Sequence, residues 1–169
     1  VTDTKTAIQL GSIRIRQWRV RRNDQCKTQA WYEEAHPHCF PRYSEEVESR
    51  KTYAKAWTPQ AVHHAYVHNP ANVTRQQPIE GIAASYPGAA FFWDMSVNKT
   101  RALSQIRNLM EWDYIDDATR AISLEINVYN PNLNVIVVNE LLFEFTVEGT
   151  VETMHNVNAF RVMYLSMAL

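Results

Sequence analysis

The chain has 169 residues, a formal net charge of -1 and 46% hydrophobic residues. This length suits one domain with a sizeable core, and the small net charge excludes a global attraction to nucleic acid. Apolar runs are short, as in residues 89–93, whereas a membrane helix needs roughly 18 apolar residues. Its four glycines lack the spacing of a phosphate-binding loop. Because it begins at Val1 without an initiator Met or signal-peptide pattern, we expect a domain of a longer protein.

The first predicted element is an arginine-rich strand near the N-terminus. In an extended strand, Ile13 and Ile15 would lie on one face, whereas Trp18 and Val20 would lie on the other. We therefore expect a β-bulge at Gln17 that restores a single apolar face. The opposite face would carry a basic stripe formed by Arg14, Arg16, Arg19 and Arg21. This stripe is compatible with a phosphate or acidic-glycan site and with ion pairs to neighbouring strands, and we favour the ion pairs.

Residues 26–78 are rich in turn formers and weakly patterned, which predicts a loop-rich extension inserted in the sheet scaffold of a single domain. Short helical pieces are predicted at residues 29–35 and 44–50.

Two cysteines, Cys26 and Cys39, lie inside this segment. In an oxidising compartment they would close a 14-residue loop, with a stabilisation of about 3 kcal/mol on the chain-entropy model. We favour this disulfide over two reduced, buried thiols. A zinc site that recruits His36 and His38 is the metal alternative, although zinc normally requires a clearer four-ligand spacing.

Three histidines, His63, His64 and His68, include an i, i+4 pair that could chelate a metal on a helix. The segment lacks the Glu of a metalloprotease helix, so we interpret these side chains as surface or packing residues. A further acidic group consists of Asp113, Asp116 and Asp117. Its spacing does not match an EF-hand, which favours a helix-end or turn cluster. The sequence contains no recognisable catalytic triad or nucleophile elbow, and we predict neither an enzyme nor a cofactor.

Two Asn-x-Thr sequons are present, at Asn72 and Asn98. Each could occur by chance. Together with a cysteine pair they favour a secreted or luminal setting, because glycosylation and disulfide formation require the same compartment. Asn72 lies in a polar, proline-containing loop and is the better candidate.

The central part of the chain predicts a hairpin and a helix. Residues 79–95 resemble two strands around the turn Tyr86-Pro87-Gly88. Apolar residues then recur at helical spacing over residues 100–112, with Thr100 or Ser96 as the N-cap. We expect this amphipathic helix to pack against the sheet.

The C-terminal part predicts long strands. Residues 121–129 alternate apolar and polar side chains, as in a half-buried strand, and Asn130-Pro131-Asn132 predicts the following turn. Residues 133–147 are apolar on both phases, which predicts a central strand covered on both sides. A last strand is indicated by Phe160, Val162 and Tyr164. The predicted fold is α+β, with a mainly antiparallel β-sheet backed by helices.

Several motifs together resemble the polycystin domain of polycystin-2-type TRP channels, in the order and spacing of that family. The matching positions are Gly11, Arg14, Arg16, Gln17, Arg19, Arg21, the cysteine pair, Tyr86, Gly88, Asp94, Thr119, Arg120, Tyr129, Asn130 and Asn134. The chain departs from the family at Tyr114-Ile115-Asp116 and at Glu125-Ile126, and residues 51–77 match poorly. This poor match leaves contacts between subunits as the least secure part of the comparison.

The resemblance implies an extracellular or luminal domain that lies between the first two membrane helices of a six-helix subunit. Four copies would cap the pore of a tetrameric, non-selective, calcium-permeable cation channel in a ciliary or flagellar, plasma or ER membrane. The disulfide would then belong to a hairpin extension, and the motif residues would bond within the domain. Expected partners are other copies, a polycystin-1-like subunit or extracellular glycoproteins, with membrane contact through segments outside this chain.

An alternative function is a secreted or receptor-type domain that binds glycans or matrix proteins. It would use the arginine stripe or the aromatic residues Trp31, Tyr32 and Trp57. Steep salt dependence of binding to acidic sugars would support this alternative.

Overall fold

The computed structural model describes residues 7–23, 29–31, 33–34 and 38–161. The strands are β1 (Ile8–Gln9), β2 (Arg14–Arg19), β3 (His68–Asn69), β4 (Ile79–Glu80), β5 (Ser85–Tyr86), β6 (Ala90–Asp94), β7 (Thr119–Asn130), β8 (Val135–Phe145) and β9 (Val151–Arg161). The α-helices are α1 (Gln60–His63), α2 (Ala71–Thr74) and α3 (Lys99–Glu111), and a 3-10 turn (His64–Tyr66) follows α1.

The main sheet has the strand order β3-β6-β2-β7-β8-β9, and β1 also pairs with β7. All of its pairs are antiparallel, and β4 and β5 form a separate two-stranded sheet. The predicted α+β class with a mainly antiparallel sheet is confirmed. The longest helix, α3, lies against the face of the main sheet that carries Trp93 and Met95.

Both faces of β2 are covered, which explains its two apolar phases. Trp18 and Val20 belong to one buried cluster, whereas Ile13 and Ile15 pack on the cluster of the opposite face. The predicted bulge at Gln17 is therefore wrong, because no phase correction is needed there. The register with β7 instead shifts after Trp18, where Arg120 is the additional residue on β7.

The predicted basic stripe on one face is also wrong. Arg14 and Arg16 share the face of Trp18, and Arg19 lies on the opposite face with Gln17. Without a bulge at position 17, strict alternation separates the arginines.

Helix α3 confirms the predicted amphipathic helix, with a different cap. The side-chain Oδ1 of Asn98 accepts a hydrogen bond from the backbone N–H of Arg101 at 3.2 Å, so the N-cap is Asn98, not Thr100 or Ser96. Leu109 is buried, and Ile106 packs against the cluster beneath the helix.

The predicted hairpin around Tyr86-Pro87-Gly88 is wrong. Ile79 pairs with Tyr86 in the small sheet, while β6 joins the main sheet. The Pro-Gly turn therefore connects two sheets, and the real hairpin turn lies between β4 and β5. A carboxylate of β8, described below, holds that turn in place.

The long hairpin of β7 and β8 confirms the two strands and the turn. The half-buried alternation predicted for β7 is wrong, because Ala121, Ile122 and Ser123 are all buried and residues 124–130 are partly buried on both faces. Asn130 Oδ1 accepts from the backbone N–H of Asn132 at 3.0 Å, and Asn134 has a left-handed φ of 52°. Strand β8 is central, between β7 and β9, as expected. Its predicted burial on both sides is wrong for most of its length, because only Leu142 and Glu144 are buried.

The last strand, β9, begins earlier than the sequence predicted, at Val151; Val162 and Tyr164 lie outside the described residues. The helix predicted at residues 44–50 is wrong, since this segment runs beside β2. Ser49 donates its N–H to Arg19 O, and Arg21 donates to Val47 O, both at 2.8 Å.

In the predicted helical piece 29–35, the described residues 29–31 and 33–34 carry no helix, and residues 32 and 35 lie outside the description.

Candidate functional site

The arginines of β2 are bound inside the domain. Arg14 forms two parallel hydrogen bonds to the carboxylate of Asp94, each 2.7 Å long, and a third to Thr74 O at 2.7 Å. The bond to Asp94 raises the pKa of Arg14 above its ordinary value, against a smaller opposing effect of burial. This bidentate geometry holds β2 to β6 and reaches α2.

Arg16 is the most buried of these cations, with 1% of its side chain exposed. It donates to Glu140 at 2.7 Å and to Gln77 O at 3.2 Å, and its guanidinium lies 5.1 Å from the Trp18 ring centre. Burial lowers the pKa of Arg16 and raises the pKa of Glu140, although each partner opposes that effect. The pair joins β2 to β8 across the intervening strand β7.

On the opposite face, Arg19 forms a bidentate pair with Asp116 at 2.6 Å and lies 3.5 Å above the Tyr53 ring. Gln17 is fully buried and donates to Thr119 Oγ1 at 2.7 Å. Thr119 Oγ1 also accepts from the backbone N–H of Asp116 at 3.0 Å. The Asp116 turn and the start of β7 are thus fixed to β2.

Arg120 occupies the bulge and anchors the loop beside Cys39. It donates to Pro41 O at 2.8 Å and to Phe40 O at 3.0 Å. Cys26 lies outside the described residues, so its pairing with Cys39 stays a prediction. Arg21, the last arginine of the motif, is exposed and donates to the backbone of Glu46.

The remaining motif positions shape turns and the core. Tyr86 is buried, and Tyr129 donates its hydroxyl to Asn134 Oδ1 at 3.0 Å. A side chain at Gly88 would collide with the carbonyl oxygen of Gln76. Gly11 has a left-handed φ of 71°. Tyr86, Gly88 and Tyr129 therefore bond or pack within the domain, whereas Gly11 meets a backbone requirement.

Glu144 is a buried residue that the sequence reasoning missed. Its carboxylate accepts from the backbone N–H groups of Ile82, Ala83 and Ala84 at 2.7 to 3.2 Å and from the Tyr86 hydroxyl at 2.9 Å. No space is left for a side chain at Gly81, whose Cβ would collide with this carboxylate. The sequence feature that could have predicted this role is a Glu between Phe143 and Phe145, in the apolar part of β8.

The two sequon asparagines, Asn72 and Asn98, are both exposed. Asn98 engages its Oδ1 as the cap of α3, while a glycan would attach to its nitrogen. Occupancy of both sites stays a prediction.

The three histidines of residues 63–68 do not form the helical pair that a metal site would need. Helix α1 ends at His63, so the i, i+4 geometry of His64 and His68 is not formed. His64 stacks on Trp93 at 4.2 Å. Among the described residues, no group of three or more His, Cys, Asp or Glu side chains could hold a metal ion.

The acidic group after α3 is a turn cluster. Asp113 has a left-handed φ of 51° and pairs with Lys55, and Asp116 pairs with Arg19.

An apolar groove of about 540 Å³ remains open between α3 and the main sheet. Its lining contains no charged residue and consists of Ile15, Ile106, Leu109, Met110, Tyr114, Ile115, Ile122, Leu124, Phe143 and Phe145. Met110 is 76% exposed at its rim, and Ile115 is 55% exposed. An open apolar groove with an exposed rim is a candidate interaction surface. We call it the α3 groove.

Comparison with known proteins identifies the family, since residues 3–163 match the polycystin domain. The chain belongs to the polycystin domain family. It is 32% identical over 145 residues to Polycystin-2 of Caenorhabditis elegans, which covers 85% of this chain and 19% of that protein. It is 28% identical over 149 residues to human Polycystin-2-like protein 1, covering 83% of this chain and 17% of the relative.

A more distant relative is the human Polycystin family receptor for egg jelly, 24% identical over 131 residues, or 73% of this chain and 6% of that protein. The chain thus spans less than a quarter of the length of these relatives. Within the part of the chain that the structure describes, no helix is long and apolar enough to cross a membrane.

Proposed function

We propose that this chain is the extracellular or luminal domain of a polycystin-type cation channel. The polycystin-domain match over residues 3–163 carries this proposal. Four copies surround the pore axis of a non-selective, calcium-permeable channel, and membrane segments outside this chain hold the copies at high effective concentration. The domain neither conducts ions nor catalyses a reaction; it mediates subunit assembly and influences gating or receives external signals.

Two features of the fold support a contact function. Arg14, Arg16 and Arg19 are each neutralised by a carboxylate within the domain, so the motif strand maintains the fold rather than binding a ligand. The α3 groove, in contrast, exposes apolar surface. We infer that a neighbouring copy in the tetramer packs on this groove, because removing its rim from water stabilises the assembly.

A substitution at the groove rim in the full-length parent channel tests the assembly role. We expect Met110→Lys to reduce the tetramer fraction measured by native mass, because a lysine cannot be buried there without a partner. Val73→Lys is the matched control, since Val73 is 50% exposed in α2, away from the groove. A Met110→Lys channel that is as tetrameric as the control would contradict the groove contact.

The side of the membrane is tested separately with Asn72→Gln and Asn98→Gln in the same channel. Glycosidase should lower the mass of the unsubstituted channel and leave the double variant unchanged. The luminal location would be contradicted if the unsubstituted protein carried no glycan and if its cysteines were free thiols that react with a label added from the cytoplasmic side.

Homologues named as polycystin-1-like proteins, such as the mouse Polycystin-1-like protein 3, favour a subunit of that type as a further partner. Extracellular glycoproteins are a second class of partner, and a ciliary or flagellar, plasma or ER membrane is the proposed setting.

The alternative, a receptor-type domain for glycans or matrix proteins, draws support from exposed indoles. Trp31 is 78% and Trp57 is 68% exposed, and Tyr32 lies outside the described residues. Titration with an acidic glycan at low and high salt distinguishes this function, since its affinity should fall steeply with salt.

A further inference from the structure

The two edges of the main sheet are protected to very different degrees. One edge is β3, which has two residues and is followed by Pro70. Short strands and prolines prevent an edge from pairing with another chain. The other edge is β9, an 11-residue strand without proline or lysine that pairs with β8 in an uninterrupted register. Its two charged residues, Glu152 and Arg161, lie near its two ends.

The outer side of β9 is accessible. Every residue of the strand is exposed except Met154, which is partly buried. Within the described ranges, no strand other than β8 pairs with β9. In an antiparallel sheet, alternate residues direct their N–H and C=O groups away from the existing neighbour. These groups form a ready template for another extended strand.

We propose that β9 pairs with β9 of a second copy of this chain, in an antiparallel arrangement with the two-fold axis at Val157. Opposed residues in an antiparallel pair share one face of the sheet. Residues on one face of a strand are an even number of positions apart. A two-fold axis perpendicular to the sheet therefore passes beside one residue, which lies opposite its own copy, and each possible register is centred on such a residue.

The register centred on Val157 uses the strand's own side chains best. It places Met154 opposite Phe160 twice and Val157 opposite itself, so two exposed apolar residues, Val157 (51%) and Phe160 (58%), lose contact with water. It also opposes Asn156 to Asn158, whose amides can exchange hydrogen bonds. No two like charges face each other.

Neighbouring registers are poorer. Centring the pair on His155 opposes two imidazoles, and centring it on Asn156 places Glu152 against Phe160. On the other side, centring it on Asn158 places Asn156 against Phe160 and His155 against Arg161. Cross-strand pairs of this kind contribute less than apolar pairs or are unfavourable.

The β9 pair is isologous, because the same surface is used by both copies. Neighbours in a ring around a pore must instead meet head to tail. The β9 pair is therefore a contact outside the proposed ring, either between isolated domains or between copies in two separate assemblies. If experiments showed that the β9 pair does not form, the proposed channel function would not be affected.

Light scattering on the 169-residue chain over a concentration series tests the pair. We expect the molar mass to rise from 19.6 kDa towards twice that value. Val157→Lys and Val157→Glu should each stay monomeric, because two like charges would face each other across the axis, whereas an equimolar mixture of the two should regain the twofold mass. Val73→Lys, at 50% exposure, should dimerise like the parent chain.

A covalent test traps even a weakly populated pair. Val157→Cys should give a dimer across the axis on mild oxidation, since opposed Cβ atoms lie about 5 Å apart. Val147→Cys, at 46% exposure outside β9, should not. A parent chain that stays monomeric throughout, a charge mixture that does not restore the dimer, or equal cross-linking of the two cysteine variants would overturn the proposal.

Discussion

The two ends of the main sheet contrast sharply. At the base, where β2 meets β6 and the first half of β7, Ala121, Ser123 and Gln17 are fully buried. At the far end, the hairpin of β7 and β8 is only half buried and β9 is exposed. The β7–β8 and β8–β9 ladders are uninterrupted, whereas the β2–β7 ladder at the base has a register shift. Backbone hydrogen bonds between strands thus extend the sheet without forming a hydrophobic core. The base is stabilised in addition by buried ion pairs and by a buried carboxylate.

The largest effect should come from the carboxylate at the base. Glu144→Ala leaves the buried Tyr86 hydroxyl and three partly buried backbone N–H groups without their acceptor. An unsatisfied buried group costs about 1–3 kcal/mol, and a partly buried one costs less because water can reach it. We expect a loss of at least about 3 kcal/mol in the free energy of unfolding, measured by urea denaturation. Glu152, directly opposite on β9 and exposed, is the control; Glu152→Ala should change stability by less than about 0.5 kcal/mol. Equal losses for the two variants would erase the distinction between base and edge.

The arginines provide the next comparison. Arg16→Ala removes one partner of a pair in which the side chains are only 1% and 17% exposed, and we expect a loss of about 3 kcal/mol. Arg14→Ala breaks a pair that is 22% and 40% exposed and should cost about 1 kcal/mol. Urea unfolding of both variants measures the difference. If Arg14→Ala lowered the free energy of unfolding more than Arg16→Ala, burial would not explain the relative contributions of these two ion pairs.

A smaller effect should appear at acidic pH. Burial tends to raise the pKa of Glu48, but His68, whose Nε2 lies 3.8 Å from the carboxylate, and the 2.6 Å hydrogen bond from Arg50 outweigh burial, so the pKa lies below the ordinary value of 4.5. A carboxyl with a depressed pKa in the folded state contributes stability that is complete above 4.5 and is lost as pH falls through the folded-state value. Glu48→Gln should therefore lose less stability than the parent chain between about pH 6 and about pH 3. Parallel pH profiles of the urea midpoint for the two proteins would refute this assignment.

The smallest effect is expected at the exposed edge. Val157→Lys should change the free energy of unfolding of the monomer by no more than about 0.5 kcal/mol, because its side chain is already half exposed. Thermal unfolding at low protein concentration measures this. A loss comparable to that of Arg16→Ala would show that β9 belongs to the cooperative core.

The sequence predicted what depends on local pattern. The Asn130 turn and the α3 periodicity depend on local contacts, and these elements formed as expected. Strand β7 also formed, but its alternation did not predict its burial, because both of its faces are covered at residues 121–123 and partly covered at residues 124–130. The arginine strand misled the prediction because it is buried on both faces, so its two apolar phases resembled a bulge.

Other features depend on distant partners and leave little local signal. Tyr86 pairs with Ile79 rather than with the strand after the Pro-Gly turn, because Glu144, 58 residues further along, holds the β4–β5 turn. The α3 groove joins residues from β2, α3, β7 and β8 that are far apart in sequence. Periodicity identifies apolar faces but does not show which of them remain uncovered.

The central claim, that the domain leaves an apolar surface for contact in an assembled channel, is tested most directly by methionine oxidation. Peroxide labelling with mass spectrometry would compare Met110 in the isolated chain and in the full-length parent protein. Met110 is 76% exposed at the α3 groove, whereas Met95 is 5% exposed and serves as the internal reference. We predict rapid oxidation of Met110 in the isolated chain and strong protection in the assembly, with Met95 protected in both. Equal oxidation of Met110 in the two states would contradict the claim.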